Sequence, residues 1–179
     1  MKRTNQKIRS MAFCALLAAL YTVASLAIPA ASFGMMQLRL GEIFTLFAAA
    51  TPLAIPALTL GCFLTNLIGL FLGLTFPPDL LFGTLATLLA AVCSYLLRRV
   101  RFRNVPFLIW LPPVFFNGLL VGLELTLFAL PAGEKASFSL FLVTAFYVAL
   151  GELLVCLLAG MPFYLVAEKR LHLNEYSAF

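Results

Sequence analysis

The sequence predicts an all-α membrane protein, a single integral domain over residues 1–179 built as a bundle of six transmembrane helices with both termini cytoplasmic. Three observations carry this. Apolar residues make up 63% of the chain and charged residues 11%, with a mean hydropathy of +1.06, against about half apolar and a quarter charged in soluble domains. The apolar residues form continuous runs rather than alternating with polar ones, which argues against a membrane β-barrel. Basic residues collect between those runs and fall on one side of the membrane when six spans are counted.

A spanning helix needs about 20 apolar residues, with roughly 17 to 25 tolerated. The first span is expected from Met11 to Ile28. Basic Lys2, Arg3, Lys7 and Arg9 before it resemble a signal peptide, but the apolar run exceeds the usual h-region of about 7 to 15 residues, and the positions before Ala31 make a poor cleavage site. It is read as a membrane helix. The second span, Leu38 to Ala50, is shorter than a full crossing and lies between the Pro29 to Gly34 loop and Thr51, Pro52 and Pro56. Segments of this kind often border binding sites in transport proteins. Four more spans follow: Ile55 to Leu74, Leu80 to Leu97, Phe107 to Leu130 and Phe138 to Val166.

Lys2, Arg3, Lys7 and Arg9, then Arg98, Arg99, Arg101 and Arg103, then Lys169 and Arg170 all fall on one face, which the positive-inside rule makes cytoplasmic. Only Arg39 and Lys135 remain for the other face. Setting topology and touching lipid headgroups accounts for these clusters, so a net charge of +5 is no argument for nucleic acid.

The acidic residues behave differently: Glu42, Glu124 and Glu152 lie inside or against the apolar runs. A charge at mid-bilayer costs about 3 kcal/mol on insertion scales, so such a group normally faces a partner or a ligand. Glu124 is expected in the outer half of the fifth helix, with Asn117 seven residues earlier on the same face. Glu152 lies near the middle of the sixth, just beyond Tyr147. Arg39 and Glu42 start the second helix at the outer surface, Asp79 starts the fourth there, and Asn66 lies midway along the third. Together they outline an outward-opening pocket for a polar solute.

Structural readings compete at several of these positions. Arg39 and Glu42, three apart at a helix start, can form an interfacial pair or a cap. Asp79, after Pro77 and Pro78, reads as an N-cap. Asn66 and Asn117 can equally bond across helices or touch a ligand. Glu124 and Glu152 have no basic residue within their own helices, which favours a ligand role.

No catalytic residue, metal ligand or cofactor is expected. The single histidine, His172, lies beyond the last helix, which argues against a buried Ser/His dyad or a His-based metal site. Cys14, Cys62, Cys93 and Cys156 stand on different helices without metal-ligand spacing and read as small packing residues. The phosphate-binding pattern GxxxxGK[ST] is absent, so energy for pumping would come from another subunit or an ion gradient. On the first helix, Ala12, Ala15 and Ala19 make one side smooth, and Ala15 with Ala19 forms a small-xxx-small pair suited to close helix approach, within the chain or with a partner. The residues alone therefore describe a six-helix binder of a polar solute. A proton-coupled secondary carrier with titrating glutamates, or a non-transporting scaffold using the alanine face, stands beside that reading.

The run Phe33-Gly34-Met35-Met36-Gln37-Leu38-Arg39-Leu40-Gly41-Glu42, followed by Ile55 to Leu67 (IPALTLGCFLTNL), resembles the queuosine-precursor transporter family, QueT. So do Asp79 to Thr87 (DLLFGTLAT), Pro112 to Leu125 (PPVFFNGLLVGLEL) and Tyr147 to Val155 (YVALGELLV). The similarity implies a substrate-binding S component of an energy-coupling-factor (ECF) transporter in the bacterial plasma membrane. Such a component captures a micronutrient outside, while a membrane coupling subunit (T component) and two cytoplasmic ATPases supply the drive. It further implies that Ala15 and Ala19 meet the coupling subunit and that the Pro29 to Leu38 loop covers the site. The implied substrate is a 7-deazaguanine base, queuine or its aminomethyl precursor. A guanine-like edge offers adjacent N–H donors to one carboxylate, and an aminomethyl cation suits a second. Glu124 and Glu152 are assigned these roles, Asn66 or Asn117 the carbonyl, and Phe33 or Tyr147 the stacking on the ring.

Overall fold

Pro29 ends the first helix of this protein, because a residue before proline is pushed out of the α region and Ile28 accordingly sits at φ −131°, ψ 80°. The computed structural model describes residues 2–34, 36–102, 105–130 and 135–171. Met35, Arg103 and His172 lie outside the described residues. Helix α1 (Lys2–Leu26) begins within the basic segment, and Pro29 opens the single turn α2 (Pro29–Ser32).

The expected second span is a 3₁₀ helix of ten residues, Leu40–Ala49. At roughly 2.0 Å per residue it covers about 20 Å, short of the ~30 Å hydrocarbon core. Among the described residues, five helical segments, not six, are long and apolar enough to cross a membrane. Most of the 3₁₀ helix is buried, including Glu42, Thr45, Leu46 and Phe47. It is an internal element.

Helix α3 (Ala54–Phe71) ends at Gly73, whose φ of +68° is the left-handed conformation that glycine adopts freely. Leu74 N–H donates to Gly69 O at 2.8 Å and Gly73 N–H to Leu70 O at 3.1 Å, the paired bonds that close a helix C-terminus. Helix α4 (Asp79–Leu97) follows the Pro77-Pro78 turn. A 3₁₀ turn, Phe107–Trp110, leads into α5 (Leu111–Phe128). Pro112 and Pro113 fall in its first turn, where their missing N–H groups have no intrahelical acceptor to lose. Helix α6 (Phe138–Leu154) is capped by Ser137, whose hydroxyl accepts from Leu140 N–H at 3.2 Å. It passes through a π-helical segment, Val155–Gly160, into α7 (Met161–Leu171).

Helix α1 packs on α3, α3 on α4, α4 on α5 and α5 on α6, while the 3₁₀ helix touches α1, α3, α4, α7 and the π segment. Close approach uses small residues. A Cβ at Gly122 of α5 would lie 2.6 Å from Ala145 Cα of α6, and one at Gly118 3.0 Å from Ala149 Cβ. An apolar core joins Tyr21, Leu46, Phe47, Leu58, Ile109, Met161 and Tyr164. A smaller one joins Ala86, Val121 and Val148.

Candidate functional site

Arg39 is completely buried, and its guanidinium is held from several directions. Nη2 donates to Asp79 Oδ1 at 3.1 Å and Oδ2 at 3.3 Å, Nε to Ser32 O at 3.4 Å, and Nη1 to Cys62 Sγ at 3.8 Å. The Phe33 ring lies 5.7 Å away. Asp79 also accepts from the Thr75 hydroxyl. Asn66 Nδ2 donates to the Asp79 backbone carbonyl at 2.8 Å and to Cys62 Sγ at 3.7 Å. Gly83 leaves room for this crowding: a Cβ there would lie 2.7 Å from Asn66 Nδ2 and 2.9 Å from Asp79 Oδ1.

Arg39 precedes the 3₁₀ helix with φ −78°, ψ 102°, so the helical i,i+3 relation to Glu42 does not apply. The two side chains take different partners, and both are fully buried within the protein. Asp79 is not an N-cap: Pro78 holds that position without a side-chain cap, and the Asp79 carboxylate is occupied by Arg39 and Thr75.

Glu42 is satisfied by hydroxyls. Tyr21 Oη and Thr45 Oγ1 donate to it at 2.5 Å each, and Thr87 Oγ1 at 3.0 Å. This ties α1, the 3₁₀ helix and α4 to one carboxylate.

Glu124 and Glu152 contrast with it. They are 1% and 0% exposed, and none of their carboxylate oxygens has a hydrogen-bond partner. Both atoms of the Asn117 amide and Oδ1 of Asn66 are likewise buried without partners. A buried polar group left unpaired costs about 1 to 3 kcal/mol, and more when charged. Glu124 lies within electrostatic reach of Asp79 and Arg39, and Glu152 within reach of Glu42 and Arg39. Around one buried arginine, whose carboxylate partner is Asp79, stand two carboxylates with nothing to bond. Their electrostatics call for a ligand with several donors, and positive charge on it would be favoured.

The loop between α1 and the 3₁₀ helix closes on this group. Phe33 meets Arg39 on one side and α3 on the other, where a Cβ at Gly69 would lie 2.7 Å from its ring. The Met36 carbonyl presses on Gly151, the neighbour of Glu152, where a side chain would collide with it. Of the aromatics read as stacking partners, Phe33 is thus at the group. Tyr147 is 41% exposed and pairs with the Phe146 ring on the outer side of α6, away from it. Ala15 and Ala19 are exposed, while α1 buries Leu17, Ala18, Tyr21 and Thr22. Among the described residues, no three His, Cys, Asp or Glu side chains converge as a metal site would require.

Sequence reasoning missed Tyr21, Thr45, Thr87, Thr75 and Cys62. The only local signals were Thr45 and Thr75, three and four residues from their acidic partners. The family described as QueT transporter matches residues 11–169. The chain belongs to the QueT transporter family. No curated protein matches it, and no solved structure does. This QueT family member is therefore a multi-pass membrane protein of a transporter family, with a closed group of buried acids in its helical bundle.

Proposed function

We propose that this protein is the substrate-binding S component of an ECF importer that takes up a queuosine precursor, a 7-deazaguanine base such as queuine or its aminomethyl precursor, across a bacterial plasma membrane. The observation that carries the reading is the pair of fully buried, unpartnered carboxylates, Glu124 and Glu152. One receives the adjacent N–H donors of the base and the other the aminomethyl cation. Phe33 stacks on the ring, and Arg39, Glu42 and Asp79 shape the pocket wall. The chain passes the membrane six times when the short Leu40–Ala49 segment and its flanks are counted as one crossing, with both termini cytoplasmic and the loop after α1 outside. Partners are a T component, docking on Ala15 and Ala19, and two ATPases that hydrolyse ATP on its behalf.

Titration calorimetry on the purified protein tests the site. Glu124→Gln and Glu152→Gln are each expected to weaken binding of the aminomethyl base about 10- to 100-fold, the loss of a charge-assisted bond of about 1.5 to 3 kcal/mol. Parent-like affinity in both variants would sink the assignment. Cellular uptake is expected to stop when the partner ATPases are deleted. Uptake that survives their deletion but collapses with the proton gradient would favour a secondary carrier instead.

A further inference from the structure

Asn66 and Asn117 are both buried at the acid group, yet their amides are not equivalent. Asn66 Nδ2 is engaged, 2.8 Å from the Asp79 carbonyl and 3.7 Å from Cys62 Sγ. A carbonyl accepts only from a donor, so this contact fixes the amide orientation and leaves Asn66 Oδ1 as the free atom. Asn66 presents an acceptor and nothing else. Asn117, 1% exposed, has both Oδ1 and Nδ2 unpaired. The other unpaired buried donors among the described residues are an indole N–H and two hydroxyls. Trp110 packs with Phe107 at the start of α5, Thr84 lines a groove with Leu60 and Phe63, and Ser25 faces Gly41 across from α1. Only Asn117 shares a helical face with an unpaired carboxylate, that of Glu124 two turns along α5. Gly118 beside it packs on Ala149 of α6, which brings Asn117 level with the turn holding Glu152.

The free atoms of the group are thus the carboxylate oxygens of Glu124 and Glu152, the two asparagine oxygens, and a single amide donor. We infer that Asn117 is the specificity-determining residue of the site: its Nδ2 donates to the ring carbonyl of a 6-oxo base, and Asn66 cannot take that role. The inference rests on the proposed deazaguanine substrate. A base carrying sulfur in place of that oxygen keeps its N–H donors for the carboxylates and offers the Asn117 amide only a weak acceptor. Asn117→Asp offers oxygens only and removes the donor. Asn117→Leu, close in volume, removes both donor and acceptor.

The experiment compares 7-deazaguanine with 6-thio-7-deazaguanine by calorimetry on the intact protein. The parent is expected to prefer the 6-oxo base by about 10- to 100-fold, the range set by leaving one buried polar group unpaired. Asn117→Asp and Asn117→Leu should each abolish that preference, and Asn66→Asp should weaken both bases without changing it. A parent that binds both bases equally overturns the inference without any variant, as does an Asn117 variant that keeps the parental preference. In either case binding of the 6-oxo base leaves the proposed substrate class standing. A parent that binds neither base removes the substrate class, and the inference with it.

Discussion

At the scale of single residues, the buried acids divide by how they are satisfied. Glu42 has three hydroxyl donors, Asp79 has Arg39 and Thr75, and Glu124 and Glu152 have nothing. The Arg39–Asp79 pair is the most exacting of these contacts, because removing one partner strands the other as a buried charge. Asp79→Leu is expected to cost about 3 to 5 kcal/mol, read as a lowered thermal unfolding midpoint in detergent, and Arg39→Met with Asp79→Leu should recover most of it. If the double variant unfolds as early as the single one, the pair is not what the substitution broke. The anomalous glutamates were legible in the sequence, since a lone carboxylate in an apolar run is costly wherever it stands. The partners of Glu42 were not. Tyr21 and Thr87 stand 21 and 45 positions from it, and nothing in one sequence reports a distance between helices. The exposure of Tyr147 was not legible for a rotational reason: it precedes buried Val148 by one residue, about 100° around the helix, and single-sequence patterning does not fix which of the two points inward.

Elements were legible where apolar length decided them. The five long spans agree with the expected runs to within a few residues at most ends, whereas the 3₁₀ character of Leu40–Ala49 has no sequence signature in apolar content alone. Its buried Gly41, Thr45, Ala48 and Ala49 show in hindsight why it sits among other helices rather than against lipid. Small residues also set how α5 meets α6. Thr126 and Thr144 hydroxyls lie 2.8 Å apart across that seam, and Thr144 Oγ1 donates to Gly122 O at 2.9 Å. Gly122→Val is expected to force the helices apart and cost about 1 to 3 kcal/mol, the usual penalty of overpacking. An unchanged unfolding midpoint would show that the seam can yield.

For the whole molecule, α1 has two unlike sides. Its inner side carries Tyr21 to Glu42 and packs on α3, and its outer side leaves Ala15 and Ala19 uncovered. In the proposed importer, replacing both alanines by leucine should leave folding and base binding intact while reducing uptake at least tenfold, because two bulky side chains would hold the coupling subunit's helix off. Lost binding in the purified double variant would mean that this face serves the chain's own packing.

The π segment Val155–Gly160 has a consequence for phase. In an uninterrupted α-helix, Glu152 and Tyr164 would point about 120° apart, since twelve residues overshoot three turns by that angle. The i+5 bonding of a π turn takes up one additional residue and sets the following helix back by about 100°. That correction brings Tyr164 under Glu152, and both are buried. The final helix thus keeps one inward meridian from the acid group to the apolar core at its far end. The widened turn lets a single rod serve both halves of the bundle, and removing one residue from it would swing Met161, Tyr164 and Ala167 out of the core.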